Sequence, residues 1–282
     1  MSKKKQKRPG DAAASKPGKA NPRGNAVAAA RANDTRTRNI IIGVVAVLII
    51  AVIAALVVVA LKGKAQDQEA QSGVAIDLGE YADGSPIVLS KDGIGKPDSS
   101  VPTLTEYFDY TCHHCVNVDA AAGEQLSEAA KAGKINIKYQ PVMTVDMAYT
   151  QPATTASLIV AQKEPEKWAD FHHALMGYFK TAYDAQDGTI VGDSQASFKA
   201  VKEVAAQSGI SQDVIDTFVV NGVEDYLNKA QAAWRDAKIE GRGDQLGTPE
   251  YVANDSKEIA LTSFEGPAVI KAVEDALGVK LS

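Results

Sequence analysis

The sequence has 282 residues, of which 45% are hydrophobic and 23% charged, and this composition excludes collagen-like, wholly disordered and disulfide-rich proteins. Two cysteines can form one bridge or one reactive pair, but not a disulfide framework. The net charge of −5 hides an asymmetry: residues 1–38 contain 11 Lys and Arg against 2 Asp and Glu, whereas the remainder contains 19 against 33. Because that remainder is acidic, it would repel phosphates, and no nucleic-acid partner is expected.

The N-terminal part of the chain is typical of a membrane anchor. Residues 1–38 are basic and rich in Pro, Gly and Ala, which predicts a disordered tail. Residues 40–61 form an apolar run of 22 residues without a polar side chain. As a helix it would be about 33 Å long, enough for a hydrocarbon core of about 30 Å. We therefore predict a transmembrane signal anchor at residues 39–62, since the apolar core of a cleaved signal peptide is usually shorter.

The charge asymmetry orients this predicted anchor. The basic tail should remain in the cytoplasm, close to anionic lipids, and the acidic part should face the outside. Residues 63–73 are polar and are interpreted as a tether, followed by a folded domain at residues 74–282. The prediction is thus a single-pass cell-membrane protein whose C-terminal domain is extracytoplasmic.

The first half of the predicted domain contains a β-α-β unit. Two short strands are expected at residues 74–78 and 86–89, followed by a Gly- and Pro-containing loop at 90–100. Residues 103–110 are rich in Thr and aromatic residues, as strands are. Apolar residues at helical spacing predict a helix over 115–132, and alternation predicts a strand over 135–140. The strand–helix–strand order favours a parallel pair.

The second half is predicted to be a helical insertion that returns to the sheet. Residues 144–246 have few strand signals, and candidate helices cover 151–162, 165–178, 195–209, 211–220 and 223–240. Strands at 250–253 and 258–262 flank an Asn-Asp-Ser turn, which predicts a hairpin. A closing helix is predicted over 266–277. The expected fold class is α/β.

Both cysteines lie in one motif, Cys112-His113-His114-Cys115, which follows the 103–110 strand and opens the next helix. Residues at positions i and i+3 share a helix face, so the two sulfurs can meet. The helix N-terminus would stabilise a Cys112 thiolate, which makes the reduced form more stable and the disulfide more oxidising. Protonated imidazoles between the cysteines would act in the same direction. The motif therefore predicts a redox-active pair.

Two other interpretations of the motif remain open. It could be an inert structural disulfide, although so short a loop contributes little stability. It could also be half of a metal site completed by His172 and His173, but adjacent helical residues diverge by about 100°. We expect these two histidines simply to decorate a helix and predict no metal. The buried stripe of that helix would consist of Trp168, Phe171, Leu175 and Phe179.

Taken together, the pattern over residues 103–282 resembles the thioredoxin superfamily. Within it, the chain is similar to the DsbA-like group, and its predicted anchor resembles membrane-bound actinobacterial members. The resemblance implies a thioredoxin-like fold with a helical insertion domain, here preceded by a single transmembrane helix. It also implies that Cys112 is the exposed nucleophile and Cys115 the buried resolving cysteine. His114 matches the family pattern, whereas His113 replaces a frequent proline.

The resemblance assigns roles to three further residues. Glu106, six residues before Cys112, matches a buried acidic residue that assists proton transfer, although a solvent-facing position is the alternative. From the residues alone, Pro249 would be an ordinary trans turn proline. The resemblance instead implies a cis bond after Thr248, in a loop that faces the disulfide. The Thr248 backbone would then pair with an extended substrate chain.

The predicted function is that of an extracytoplasmic thiol:disulfide oxidoreductase that introduces disulfides into unfolded exported proteins. Its redox group would be the Cys112–Cys115 disulfide, with no separate cofactor. The family implies a membrane partner that reoxidises the pair, either DsbB-like or similar to vitamin K epoxide reductase. Two alternatives are a disulfide reductase or isomerase, and a metal- or peptide-binding module with incidental cysteines.

Overall fold

The computed structural model describes residues 76–281, which contain one six-stranded sheet. Its strands lie in the order β2-β1-β4-β3-β5-β6. Strands β3 and β4 are parallel, as predicted, and the other neighbouring pairs are antiparallel. The strand bounds are β1 Ile87–Ser90, β2 Gly93–Ile94, β3 Thr103–Phe108, β4 Asn136–Pro141, β5 Glu250–Ala253 and β6 Lys257–Ile259.

A nearly continuous helical segment connects β3 to β4. It consists of α1 (His113–Val118), a π-helical turn (Asp119–Gly123) and α2 (Glu124–Lys131). The predicted helix is therefore present, but it starts earlier and contains a π turn that periodicity did not indicate. It starts at His113 because Cys112 is the N-cap: its backbone is extended and its sulfur accepts a hydrogen bond from the Cys115 N–H.

The beginning of the described chain differs from the prediction. Residues 76–78, the described part of the first predicted strand, are not a strand. They lead instead into a 3₁₀ turn (Gly79–Tyr81), because the Gly79 N–H is bound by the Asp77 carboxylate and Gly79 has a φ of 50°. The predicted loop at 90–100 also contains β2, which pairs with β1 in a tight hairpin.

Helices α3 to α8 lie between β4 and β5, and α9 closes the chain. Their bounds are α3 Thr150–Lys163, α4 Trp168–Asp184, α5 Gly188–Gly192, α6 Ser194–Gln207, α7 Gln212–Ile215, α8 Glu224–Asp236 and α9 Gly266–Leu277. The closing helix has its predicted bounds. The short α5 was not predicted, and the helix predicted over 211–220 is only one turn long. The predicted 223–240 helix ends earlier, because Glu240 forms a bridge with Lys257 next to the sheet.

The core joins the sheet to the helices on either side. The predicted stripe of α4 is confirmed, since its four residues are fully buried. No helix within residues 76–281 is long and apolar enough to span a membrane. The predicted tail, anchor and tether at residues 1–38, 39–62 and 63–73 lie outside the described residues, and their assignment stays a prediction.

Candidate active site

The two cysteines meet where β3 gives way to α1. Both are free thiols, and Cys115 is completely buried. The Cys112 sulfur accepts a hydrogen bond from the Cys115 N–H at 3.5 Å, and its thiol donates to the Thr248 carbonyl at 3.2 Å. Cys112 was expected to be exposed, but only 6% of it is accessible. The loop that carries Thr248 covers it, so an attacking group must approach beside this loop.

The environments of the two thiols separate their pKa values. The pKa of Cys112 is lowered to about 6, chiefly because Cys115 donates a hydrogen bond to its sulfur, with further contributions from Thr248 and from backbone N–H groups. Burial raises the pKa of the Cys115 thiol well above its ordinary value, and the neighbouring Cys112 raises it further. In the reduced form Cys112 is therefore the thiolate near neutral pH, and Cys115 keeps its proton.

This difference predicts selective alkylation of the reduced protein. The rate of iodoacetamide reaction at Cys112 should rise with pH around a midpoint of about 6, since only the thiolate reacts. Cys115 should stay unmodified until the pH is far higher, because it is buried and protonated. Mass spectrometry after timed alkylation would locate the label. A midpoint near the ordinary cysteine value, or prior labelling of Cys115, would contradict this assignment.

The two intervening histidines are held by aromatic and polar neighbours rather than by the sulfurs. The His113 ring stacks on Tyr183, with centroids 4.6 Å apart, and its Nε2 lies 3.7 Å from the Asp184 carboxylate. The His114 ring lies 5.0 Å from that of Phe264. Within residues 76–281, neither imidazole is hydrogen-bonded to Cys112. Their role in tuning the thiolate stays a prediction.

The Thr248–Pro249 peptide bond is cis, as the resemblance implied. The Thr248 hydroxyl is hydrogen-bonded to that of Thr144 at 2.8 Å. The backbone N–H of Thr144 in turn donates to the Asp109 carboxylate, which lies between β3 and the cysteine motif. The loop is thus fixed laterally to the segment that carries Cys112.

A buried ion pair anchors the other end of this loop. Glu250, directly after Pro249, accepts hydrogen bonds from Arg242 Nε at 2.6 Å and Arg242 Nη2 at 2.8 Å. The Trp234 indole N–H also donates to this carboxylate. Bidentate geometry of this kind fixes both partners. The pair spans the base of the loop, and sequence patterns did not indicate it.

Glu106 is buried behind the cysteines, and the solvent-facing alternative is wrong. In the sheet it lies between Tyr139 on β4 and Tyr251 on β5, so the three side chains share one face. Burial raises the pKa of Glu106 to about 8, with a further contribution from the charge of Asp119, while a hydrogen bond with Tyr251 opposes the shift. Glu106 therefore holds a proton at neutral pH.

The two adjacent histidines of α4 do not simply decorate the helix, as had been expected. His172 is buried, stacks on Trp168 and is hydrogen-bonded through Nδ1 to the Tyr110 hydroxyl at 2.9 Å. Burial holds its pKa well below the ordinary value, so the ring is neutral. His173 is partly exposed and is hydrogen-bonded to Asp119 at 2.7 Å.

The arrangement of these histidines also bears on the metal-site alternative. The potential ligand atoms of Asp119, His172 and His173 lie within 4.8 Å of one another, and this group includes neither cysteine. Since Asp119 and His173 are hydrogen-bonded directly, we assign them to a polar pair rather than to a metal centre. Asp119 comes from the π turn, which periodicity could not reveal.

The fold and the dithiol site define a thioredoxin-fold protein with one Cys-x-x-Cys centre. A family model described as Thioredoxin matches residues 91–238, more than half of the chain. The chain belongs to the thioredoxin family, and the predicted class, a thiol:disulfide oxidoreductase, agrees with this.

Solved structures add to this result. The chain is similar to MdbA, a thiol-disulfide oxidoreductase from Actinomyces oris, with 18% identity, a TM-score of 0.55 and coverage of 70% of this chain and 89% of that one. DsbA from Mycobacterium tuberculosis has 20% identity, a TM-score of 0.49 and coverage of 69% and 93%. MdbA from Corynebacterium diphtheriae has 18% identity, a TM-score of 0.47 and coverage of 68% and 98%. A comparison with curated proteins finds no match.

Proposed function

We propose that this protein is a membrane-anchored, extracytoplasmic thiol:disulfide oxidoreductase of the DsbA type, which introduces disulfides into exported proteins. The observation that supports it most is the pairing of an acidic Cys112 thiol, with a pKa of about 6, with a buried Cys115 that stays protonated. A stable Cys112 thiolate favours the reduced protein, and its disulfide therefore readily accepts electrons from other thiols.

The proposed reaction transfers two electrons. A substrate thiolate attacks Cys112 Sγ in the Cys112–Cys115 disulfide, which breaks that bond and leaves a mixed disulfide; the Cys115 sulfur takes up a proton. A second substrate thiol loses its proton and attacks the substrate sulfur of the mixed disulfide. The substrate leaves with a disulfide, Cys112 leaves as a thiolate, and one proton is released.

The surroundings of Cys112 favour an unfolded polypeptide as substrate. Four large apolar side chains are at least 36% exposed within residues 76–281. Tyr183 and Phe264 contact the rings of His113 and His114. The other two are Val145, next to Thr144, and Leu246, in the loop that leads to Thr248. An extended chain that pairs with the Thr248 backbone would place apolar side chains against them.

The reduction potential tests the direction of electron transfer. The full chain, purified in detergent, is equilibrated against glutathione buffers, and the oxidised fraction is measured by alkylation and mass shift. We expect a value near about −120 mV, because a thiolate of low pKa stabilises the reduced form. A value near about −270 mV would contradict the proposal and favour the reductase or isomerase alternative. The absence of reversible oxidation would favour a binding module.

Membrane attachment requires its own test. We propose that residues 40–61 anchor the protein, with residues 1–38 in the cytoplasm and the dithiol domain outside, where disulfides persist. A membrane partner, DsbB-like or similar to vitamin K epoxide reductase, would restore the disulfide. Deletion of residues 40–61, with a cleavable export signal in their place, should move the protein from the membrane fraction to the soluble extracytoplasmic fraction. Persistence in washed membranes would contradict the anchor.

A further inference from the structure

A chain of hydrogen bonds connects the sheet face that carries Glu106 with the protein surface. The Tyr139 hydroxyl lies 2.9 Å from the Ser127 hydroxyl, and Ser127 Oγ lies 2.9 Å from His173 Nε2. His173 Nδ1 lies 2.7 Å from the Asp119 carboxylate. The four residues come from β4, α2, α4 and the π turn, so only the tertiary fold brings them together.

The chemistry of these groups gives the chain a single direction. A carboxylate only accepts, so His173 Nδ1–H donates to Asp119 and leaves Nε2 as an acceptor. Ser127 O–H then donates to Nε2, and Tyr139 O–H donates to Ser127. Every donor has an acceptor, and each hydroxyl both donates and accepts. Such an array moves a proton from one end to the other by successive short transfers.

The two ends of the array lie in different environments. Tyr139 is 2% exposed and is the register neighbour of Glu106, on the same face of the sheet. The His173 side chain is 22% exposed, so the other end reaches solvent. Gly123 leaves the space for this contact, since a Cβ there would lie 2.3 Å from Asp119 Oδ1 and 3.0 Å from His173 Cε1.

The reaction of the dithiol requires such a route. When the disulfide is reduced, the buried Cys115 sulfur takes up a proton, and when it is reformed, Cys115 loses one. Cys115 is completely buried, as is the Glu106 side chain except for 4% of its surface. Asp119 lies one helical turn after Cys115, with its N–H bonded to the Cys115 carbonyl. Neither the cysteine nor the glutamate exchanges protons freely with bulk water.

We propose that Tyr139, Ser127, His173 and Asp119 form a proton relay between the Glu106 pocket and solvent. In this inference, which rests on the proposed function, Glu106 exchanges a proton with Cys115, and the relay returns or removes that proton through His173. The relay carries protons only; the two electrons pass through the sulfurs. His172, although adjacent, lies outside the chain because its Nδ1 is bonded to Tyr110.

The test measures rates and equilibrium separately in the full chain. The oxidised protein is reduced with dithiothreitol, and the reduced protein is oxidised with glutathione disulfide, both followed by stopped-flow tryptophan fluorescence. Ser127→Ala and His173→Ala should slow both directions by the same factor, about 100-fold, which is the lower end of what positioned proton transfer contributes. The equilibrium constant with glutathione should be unchanged, since a relay lowers a barrier without favouring either state.

Chemical rescue separates a relay from a merely structural role. Imidazole in the buffer should restore the rate of His173→Ala, because this position is partly open to solvent, but not that of Ser127→Ala. Asp170→Asn, an exposed change on the same helix, is the matched control and should react at the original rate. Thermal unfolding of each variant checks that it is folded.

The outcomes are distinguishable from failure of the proposed function. If the unmodified protein reacts with dithiothreitol but does not oxidise proteins, the function is wrong while the relay remains testable. Unchanged rates in both relay variants would overturn the relay, as would equal loss without imidazole rescue. Stoichiometric metal in the purified protein, with a rate that changes on chelation, would also overturn it and assign the Asp119 cluster to a metal ion.

Discussion

Replacement of Cys112 by Ser is expected to abolish oxidation of a reduced, unfolded test protein, leaving only the uncatalysed rate. Serine cannot form the disulfide that accepts the substrate electrons, and its hydroxyl does not ionise near neutral pH. The measurement is the appearance of native activity in the test protein, with Ellman's reagent to count remaining thiols. Since Cys112 caps α1 through its sulfur, thermal unfolding of the variant must be recorded beside activity.

The matched variant is Cys115→Ser, which keeps the attacking cysteine and removes the resolving one. It should also fail to oxidise substrates catalytically. It should, however, accumulate a mixed disulfide through Cys112 when offered a protein disulfide, visible on a non-reducing gel. Retained oxidation by Cys112→Ser would contradict the assigned nucleophile. Trapping through any residue other than Cys112 in the Cys115→Ser variant would do the same.

Glu106→Gln is expected to change the pH dependence of stability more than any other single substitution in the core. The pKa of Glu106 is raised from its unfolded value to about 8, so the native state holds a proton that the unfolded state has lost. Its contribution is fully present below the unfolded pKa and is lost as pH rises towards 8. The loss amounts to at most about 5 kcal/mol over this range.

This experiment belongs in the Cys112→Ser background. Cys112 has a lowered pKa, so its contribution is present above the unfolded value and is lost as pH falls towards 6, which is the opposite sign. Urea unfolding between pH 4.5 and 9 should show a falling stability in Cys112→Ser and a much flatter profile when Glu106→Gln is added. Glu166→Gln, at an exposed position, is the control. Parallel profiles with and without Glu106 would contradict its buried, protonated state.

Sequence patterns predicted those features that depend on residues near one another in the chain. The β3 strand, the parallel pairing with β4 and the bounds of α9 follow from composition and periodicity over short windows. The Cys112 N-cap follows equally from the position of the motif between strand and helix. Burial of Glu106 was implied by resemblance rather than by its surroundings in the sequence.

Features that depend on long-range packing could not be predicted in this way. The π turn shifts Asp119 towards α4, and its partner His173 is 54 residues away. Arg242 and Glu250 are close in sequence, but nothing in their spacing shows that both are buried beside Trp234. Helix α8 ends early because Glu240 is bound by the edge of the sheet, which helical periodicity does not register.

The exposed apolar side chains around Cys112 have a consequence for how client range can diverge. Val145 and Leu246 are 43% and 36% exposed, so their replacement removes little from the packed interior. The acidity of Cys112 comes from hydrogen bonds made by Cys115, Thr248 and backbone groups, and none of these is an apolar contact. Mutation can therefore alter which polypeptides are accepted while the folding stability and the redox chemistry are inherited unchanged.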